Sequence, residues 1–190
     1  MLLLTATQTF AQDKDLKGIY KDVTTAINSA LLTRSGAMEL SGNASFNYYS
    51  TKYTSGAKMS QYIIRVEPAF LYFMFDNIAI GVDLSYSQDK TTYEESNHSQ
   101  IIEQTFIGPV VKMYFGDKRY RPFIQADYLF LTGDYFDGGT AELGAGLFYH
   151  VTGNFGFSLM GKYGYIFSNN RYIDRQSRVF IGIGITSFIL

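Results

Sequence analysis

The chain offers little material for covalent chemistry. It has no cysteine and only two histidines. That removes disulfides, thiolate metal sites and thiol nucleophiles. His98 follows Glu94, Glu95 and Asn97 and stands between Ser96 and Ser99, the residue types of a hydrolytic nucleophile and its base. Neighbours in sequence do not by themselves make a catalytic geometry, and a solvated loop has the same composition. His150 stands beside Tyr149, in a different part of the proposed topology, so the two histidines do not share a metal site. Gly144-Ala145-Gly146 and Gly182-Ile183-Gly184 do not open a helix, so they are not phosphate loops; they read as small positions beside long charged neighbours. No catalytic, metal-ligating or cofactor-binding residue is assigned. What stands out instead is a set of isolated charges: Glu39, Arg65, Glu67, Asp83, Lys112, Asp127, Glu142, Lys162 and Arg178. Each sits among Gly, Ser, Asn, Gln, Thr or apolar residues, and four positive charges face five negative ones.

The elements that position these charges alternate with period two. Val179, Ile181, Ile183 and Ile185 interleave with Arg178, Phe180, Gly182, Gly184 and Thr186; Ile78, Ile80, Val82, Leu84 and Tyr86 interleave with Ala79, Gly81, Asp83 and Ser85. A helix cannot use that period, and a strand with two different faces requires it. Eight such runs are predicted, at 37–49, 58–73, 78–87, 99–115, 121–132, 140–151, 155–167 and 177–190. They are long beside the ~5–6 residues usual for strands, and a tilted strand needs about 9–11 to cross a bilayer. The links alternate between short turns (Met74–Asn77, Gly116–Tyr120, Thr152–Asn154) and longer polar loops (50–57, 88–98, 133–139, 168–176). An even-stranded barrel with turns at one end and loops at the other has this pattern.

The nine charges share one parity on their strands. The opposite parity carries Leu40, Ile64, Val66, Val82, Leu84, Val111, Tyr128, Leu147, Leu159, Ile181 and Ile183, with Glu103 as the main exception. Aromatics on the apolar parity gather near the strand ends, Tyr48, Tyr86, Phe130, Tyr165 and Phe167 towards the loops and Tyr72, Phe115, Tyr149 and Phe155 towards the turns. Tyrosine suits a membrane interface, with an apolar ring and a wet hydroxyl. A balanced set of charges suits an enclosed interior, because an unpaired buried charge costs several kcal/mol. An apolar exterior around a polar core is stable only when the outer solvent is lipid. The fold class read here is all-β, an eight-stranded antiparallel up-and-down transmembrane β-barrel over residues 37–190.

The first residues do not alternate. Residues 1–12, MLLLTATQTFAQ, resemble the end of a secretory signal peptide whose start lies upstream. Across residues 13–36, Leu16, Ile19, Tyr20, Val23, Ile27, Ala30 and Leu31 recur at spacings of three and four, which predicts a short amphipathic helix in a periplasmic arm, at the membrane interface or the barrel mouth.

The stretch Glu67-Pro68-Ala69-Phe70-Leu71-Tyr72-Phe73, running into Asp76-Asn77-Ile78-Ala79-Ile80-Gly81, and the stretch Phe106-Ile107-Gly108-Pro109-Val110-Val111-Lys112-Met113-Tyr114-Phe115 resemble the small eight-stranded outer-membrane β-barrel family of Gram-negative bacteria. These are the OmpA/OmpX-type barrels, with porin-family members of Bacteroidetes type. The likeness is one of pattern and covers about residues 37–190. The family usually ends on an aromatic residue, whereas this chain ends Ser187-Phe188-Ile189-Leu190. The resemblance implies a bacterial outer-membrane location with both termini periplasmic, contact with outer-membrane lipid, and folding by the outer-membrane assembly machinery.

An eight-stranded barrel has an interior just wide enough to be filled by side chains. The function expected is therefore structural or surface-interaction, through loops 50–57, 88–98, 133–139 and 168–176, with at most a narrow pore gated by rearrangement of the interior charge pairs. Two alternatives remain: a lipid-modifying outer-membrane enzyme using His98 with Ser96 or Ser99, as some barrels of this kind imply, and a soluble lipocalin-like barrel with the faces reversed. No cofactor is expected. A net charge of −1 gives no field for nucleic acid.

Overall fold

The structure, a computed structural model, describes residues 32–52, 58–93, 98–116, 119–132, 138–168 and 176–190. The eight strands are β1 (Met38–Lys52), β2 (Lys58–Phe75), β3 (Ile78–Tyr93), β4 (His98–Tyr114), β5 (Tyr120–Thr132), β6 (Gly138–Thr152), β7 (Phe155–Ser168) and β8 (Gln176–Ile189). Each pairs antiparallel with the next, and β8 pairs with β1, so the sheet closes into a barrel. Closure matters in lipid, where an open sheet edge leaves backbone groups without partners.

The short links form where the sequence supplies turn residues. Asn77 takes a positive φ of 66° between β2 and β3, and Gly153 one of 53° between β6 and β7, a conformation that Asn and Gly tolerate best. Two ladders skip a pair of positions beside a proline, at Pro68 between β2 and β3 and at Pro109 between β4 and β5. Proline has no N–H to give. In each case the ladder on the proline's other side is continuous, with Pro68 opposite Gly42 and Pro109 opposite Val82.

The pairing also fixes the tilt. The paired row from Glu39 passes through Leu71, Gly81, Val110, Asp127, Glu142 and Gly164 to Arg178. Extended beyond its last pair, Ser45–Gly182, the β8–β1 register would carry Arg178 to the level of Tyr49, ten residues beyond the start. A slip of that size inclines eight strands by about 40° and leaves an interior that side chains fill.

Several strands outrun the alternation. β1 continues through Ser50–Lys52 and β3 through Gln88–Tyr93, while His98, Gly138, Gly139, Ser168 and Gln176 also lie in strands, so the predicted loops 50–57, 88–98, 133–139 and 168–176 are shorter than their sequence limits. The reason is that polar side chains do not end a ladder. The exterior parity turns polar at Gln88, Lys90 and Glu103, and these residues pair above the apolar band: Gln88 Nε2 donates to Glu103 Oε1 at 3.0 Å, and the Lys90 ammonium lies 5.8 Å from the Tyr62 ring centre. At the other end β1 begins at Met38, not at residue 37. Residues 32–36 form a turn rather than the end of a helix. The leader expected at 1–12 and most of the arm expected at 13–36 lie outside the described residues.

Candidate functional site: the barrel interior

The strand pleat sends one parity inward and the other outward. Inward-facing Glu39, Arg65, Glu67, Asp83, Lys112, Asp127, Glu142 and Lys162 are all buried, whereas Arg178 is only half-buried. Outward, Leu40, Ile64, Val82, Leu84, Leu143, Leu159, Ile181 and Ile183 are exposed, the last at 68%. Monomeric water-soluble proteins rarely expose so large a contiguous apolar surface. A lipocalin-like arrangement has the opposite orientation, apolar side chains in and charges out, so that alternative is overturned by the placement of these two sets.

The charges meet across the axis. Arg65 on β2 forms a two-pronged pair with Glu142 on β6, its Nη1 and Nη2 donating to the two carboxylate oxygens at 2.8 and 2.9 Å. Its Nη2 also lies 2.6 Å from Glu67 Oε1, and its Nε donates to Ser85 Oγ at 2.7 Å. The flat guanidinium lies 4.5 Å from the centre of the Phe180 ring. Lys162 on β7 is the hub. Its ammonium lies 3.0 Å from Asp127, 3.1 Å from Glu67, 3.3 Å from Asp83 and 3.5 Å from Glu142. One long cation on the axis thus bridges carboxylates from four strands, two of which Arg65 shares. Asp127 and Glu142, directly opposite on β5 and β6, would repel without it. Gly144, paired with Lys162, leaves the space its stem needs, since a Cβ there would come within 3.0 Å of Lys162 Cγ. Gly146, Gly182 and Gly184 instead admit close backbone, aromatic or polar neighbours.

A second pair sits towards the turn end. Lys112 Nζ donates to Glu39 Oε1 at 2.7 Å, and the Tyr114 hydroxyl donates to Glu39 Oε2 at 2.9 Å. Lys112 also lies 4.4 Å from the Phe123 ring centre. Arg178 lines a cavity of about 20 Å³ with Arg65, Thr140 and Glu142, room for about one water.

Two interior features escaped the sequence reading. Below the charges, Phe73, Tyr114, Phe123, Phe148 and Phe188 form a buried aromatic layer, with ring centres 5.4 to 6.2 Å apart among neighbouring rings. Beneath it Arg121, fully buried, donates from Nη1 to Thr33 Oγ1 at 2.6 Å. Both features carry a readable signal: all six residues lie on the charged parity, near the short turns. Thr33 belongs to a strap, residues 32–37, folded against this end. Leu32 and Thr33 are buried, Asn77 N donates to Thr33 O at 2.6 Å, and Ser35 N donates to Asp76 Oδ1 at 2.9 Å.

The remaining candidates are the two histidines and the serines beside His98. His150 is buried, with Nε2 2.7 Å from Gly153 O, a bond that braces the β6–β7 turn. Ser96 and the side chain of His98 lie outside the described residues. Among the described residues no group of three or more His, Asp or Glu is arranged to hold a metal.

The chain matches no protein-family model and no curated protein. Solved structures do share its shape. Neisserial surface protein A (NspA) is 15% identical over 80% of this chain and 97% of its own, with a TM-score of 0.53. A de novo designed transmembrane β-barrel is 14% identical, covering 84% of this chain and 100% of its own, at a TM-score of 0.46. The N-terminal β-barrel domain of Pseudomonas aeruginosa OprF is 16% identical, covering 82% and 98%, at 0.44. At such identities the likeness to NspA shows the fold, a closed eight-stranded barrel, and no activity.

Proposed function

We propose that this chain is an outer-membrane β-barrel of a Gram-negative bacterium, with both termini periplasmic, whose role is structural and surface-interacting rather than enzymatic or bulk-diffusive. The observation that carries the reading is the radial inversion: ion pairs fill the axis while large apolar side chains cover the wall. Hydrocarbon is the solvent that favours such a wall.

The interior supports a closed barrel. A charge lattice, an aromatic layer and the strap follow one another along the axis, so a solute would have to displace all three. The loop-end rim supports a surface role. β4 continues through residues 98–104 beyond its last pairing with β5 at Thr105 and Thr132, so among the described residues this stretch of the β3–β4 hairpin has a strand partner on its β3 side alone. A free edge is a template for an extended partner strand. Insertion of such a barrel would require the outer-membrane assembly machinery.

Cell fractionation with a heat-modifiability gel tests the location. The expected result is an outer-membrane fraction whose band migrates differently before and after boiling in SDS; recovery of the native protein in the soluble fraction without detergent would overturn it. Planar-bilayer recording tests closure, where steady conductance above background would restore the gated-pore reading. For the surface role, intact cells carrying a β3–β4 hairpin shortened above Glu103 should lose whatever extracellular binding the parent shows, with the heat-modifiable band retained.

A further inference from the structure

Arg119 stands just before β5 at the turn end, outside the interior ion pairs, and it is exposed. Its side chain is nevertheless held in one pose. Arg119 Nε donates to His150 O at 2.9 Å, and His150 N donates to Arg119 O at 2.9 Å, so backbone and side chain are both tied to the end of β6. The guanidinium carbon lies 4.8 Å from the centre of the Tyr149 ring. Tyr149 is paired in turn with Tyr120, their ring centres 4.8 Å apart and their planes at 34°. Both tyrosines lie on the outward parity, Tyr120 at 60% exposed, and such rings suit the membrane surface. The bond to His150 occupies Nε, and the two Nη groups have no partner among the described residues. A guanidinium stacked on a ring and tethered through Nε presents those groups as a planar fork. That fork matches two oxygens of a phosphate. The facing β6–β7 turn, Thr152-Gly153-Asn154, supplies no carboxylate to compete.

The wall on the membrane side of this fork is hollowed. Ile124, Leu143, Ala145, Gly161, Tyr163 and Val179 line an apolar trough of about 450 Å³ on the outer face. It exists because β6 and β7 present Ala145 and Gly161 at paired positions, where the flanking outward residues are large. Tyr149, Leu147 and Ala145 are successive outward positions of β6. At about 3.3 Å per residue the trough therefore begins about 13 Å from the tyrosine, along the same strand and towards mid-membrane. A cationic fork at the interface and a greasy hollow deeper in the wall are thus joined by one line of apolar surface.

We propose that one phospholipid binds here, with its phosphate on the Nη fork of Arg119 and an acyl chain running along β6 over Leu147 into the trough at Ala145 and Gly161. The inference rests on the membrane reading above and names one lipid site within it, in the leaflet on the turn side. The phosphate oxygens accept two charge-assisted hydrogen bonds, the stronger kind. The Tyr149 ring and the His150 carbonyl fix the fork beforehand, so little side-chain freedom is lost on binding. The chain fills a hollow that the strands' own side chains leave empty.

The test uses the full chain, purified in a phosphate-free detergent and read by native mass spectrometry. It is presented in turn with phosphatidylglycerol, with diacylglycerol of the same acyl chains, and with glycerophosphate. One phosphatidylglycerol should stay bound per barrel. Diacylglycerol, which lacks the phosphate, and glycerophosphate, which lacks the chains, should both be lost. Arg119→Gln should weaken phosphatidylglycerol retention about tenfold, the worth of one charged hydrogen bond. Arg119→Lys keeps the charge without the planar fork or its stacking and should recover only part of that loss. Gly161→Leu should weaken retention as well. A Cβ there meets nothing nearer than Phe180 O at 3.9 Å, so the larger side chain fills the trough without disturbing the wall. Retention of diacylglycerol or glycerophosphate equal to that of phosphatidylglycerol would overturn the site. So would parent-like binding by Arg119→Gln or Gly161→Leu, and full recovery in Arg119→Lys would reduce the fork to diffuse charge. Each variant is first shown to give the heat-modifiable band, so failure of the lipid site with that band intact is distinct from failure of the membrane reading.

Discussion

Arg65 and Glu142 meet in a two-pronged pair from strands four apart in the ring, β2 and β6, so their bond spans the barrel axis. Neither residue is near the other in sequence, and no adjacent-strand contact brings them together. With the Lys162 and Lys112 contacts, the pair acts as a strut across a cylinder whose wall is held by neighbour-to-neighbour ladders.

The strut gives a first prediction. Arg65→Met leaves Glu142 and Glu67 buried with Lys162 as their remaining cation partner. Removing one member of a buried pair typically costs about 3–5 kcal/mol. Denaturant unfolding of the barrel in detergent micelles should show that loss. Arg65→Met combined with Glu142→Leu should recover a large part of it, because an apolar pair of similar volume removes both desolvation penalties. Additive losses in the double variant would show that the pair is not a unit.

Much of this arrangement is legible in the sequence. Period two with at least one charge of this parity on every strand identifies the inward face, since a lipid wall cannot hold Asp83 or Lys112 and the interior can. What the pattern does not carry is partnership. Lys162 serves four carboxylates only because a slip of ten residues sets its height against theirs, and that slip comes from summed registers rather than from any local signal. The aromatic layer was hidden for another reason: Phe73 and Phe188 are apolar, so on composition alone they read as wall residues. Parity places them with the charges. Arg121 stands at the head of β5, beside a turn, where a surface arginine is the ordinary expectation. Its burial depends on Thr33 folding over it from the strap. Strand ends were underestimated at Gln88–Tyr93 because the hydrophobic signal ends with the membrane and the ladder does not.

The outer wall gives a second prediction. Val82 is 49% exposed at the middle of the apolar stretch 78–86 of β3, opposite Phe70 and Pro109. In water, Val82→Arg at an exposed strand position would be nearly neutral. In lipid the same charge near the midplane should cost about 2–4 kcal/mol. Unfolding from lipid vesicles measures the difference, and no loss there would contradict a hydrocarbon-facing wall.

Close approach of backbones gives a third. A Cβ on Gly81 would strike the carbonyl oxygen of Phe70 on the neighbouring strand, and one on Gly108 would strike that of Tyr128. Backbone cannot step aside as a side-chain tip can. Gly81→Ala and Gly108→Ala should each sharply reduce the heat-modifiable band. Gly42→Ala faces open space and should leave it unchanged. If Gly81→Ala folded like Gly42→Ala, the β2–β3 wall at that level would have to be looser than its ladder implies.

The strap gives the last. Thr33 joins three elements at the turn end: its carbonyl accepts from Asn77 N, its hydroxyl donates to Asn77 Oδ1 at 2.6 Å, and the same oxygen accepts from Arg121 at 2.6 Å. Thr33→Val keeps the shape and removes the hydroxyl. Arg121 then loses one buried partner and Asn77 Oδ1 another. A buried group left without its hydrogen bond costs about 1–3 kcal/mol, more when charged. The variant should therefore unfold at lower denaturant concentration, by an amount at the upper end of that range. The damage should stay local, because the β2–β3 and β4–β5 ladders do not pass through the strap. Limited proteolysis should accordingly cut near residues 32–37 faster in Thr33→Val while the barrel band survives. Cleavage at the parent rate would mean that the strap is held by Leu32 and the backbone bonds alone, with Arg121 satisfied elsewhere.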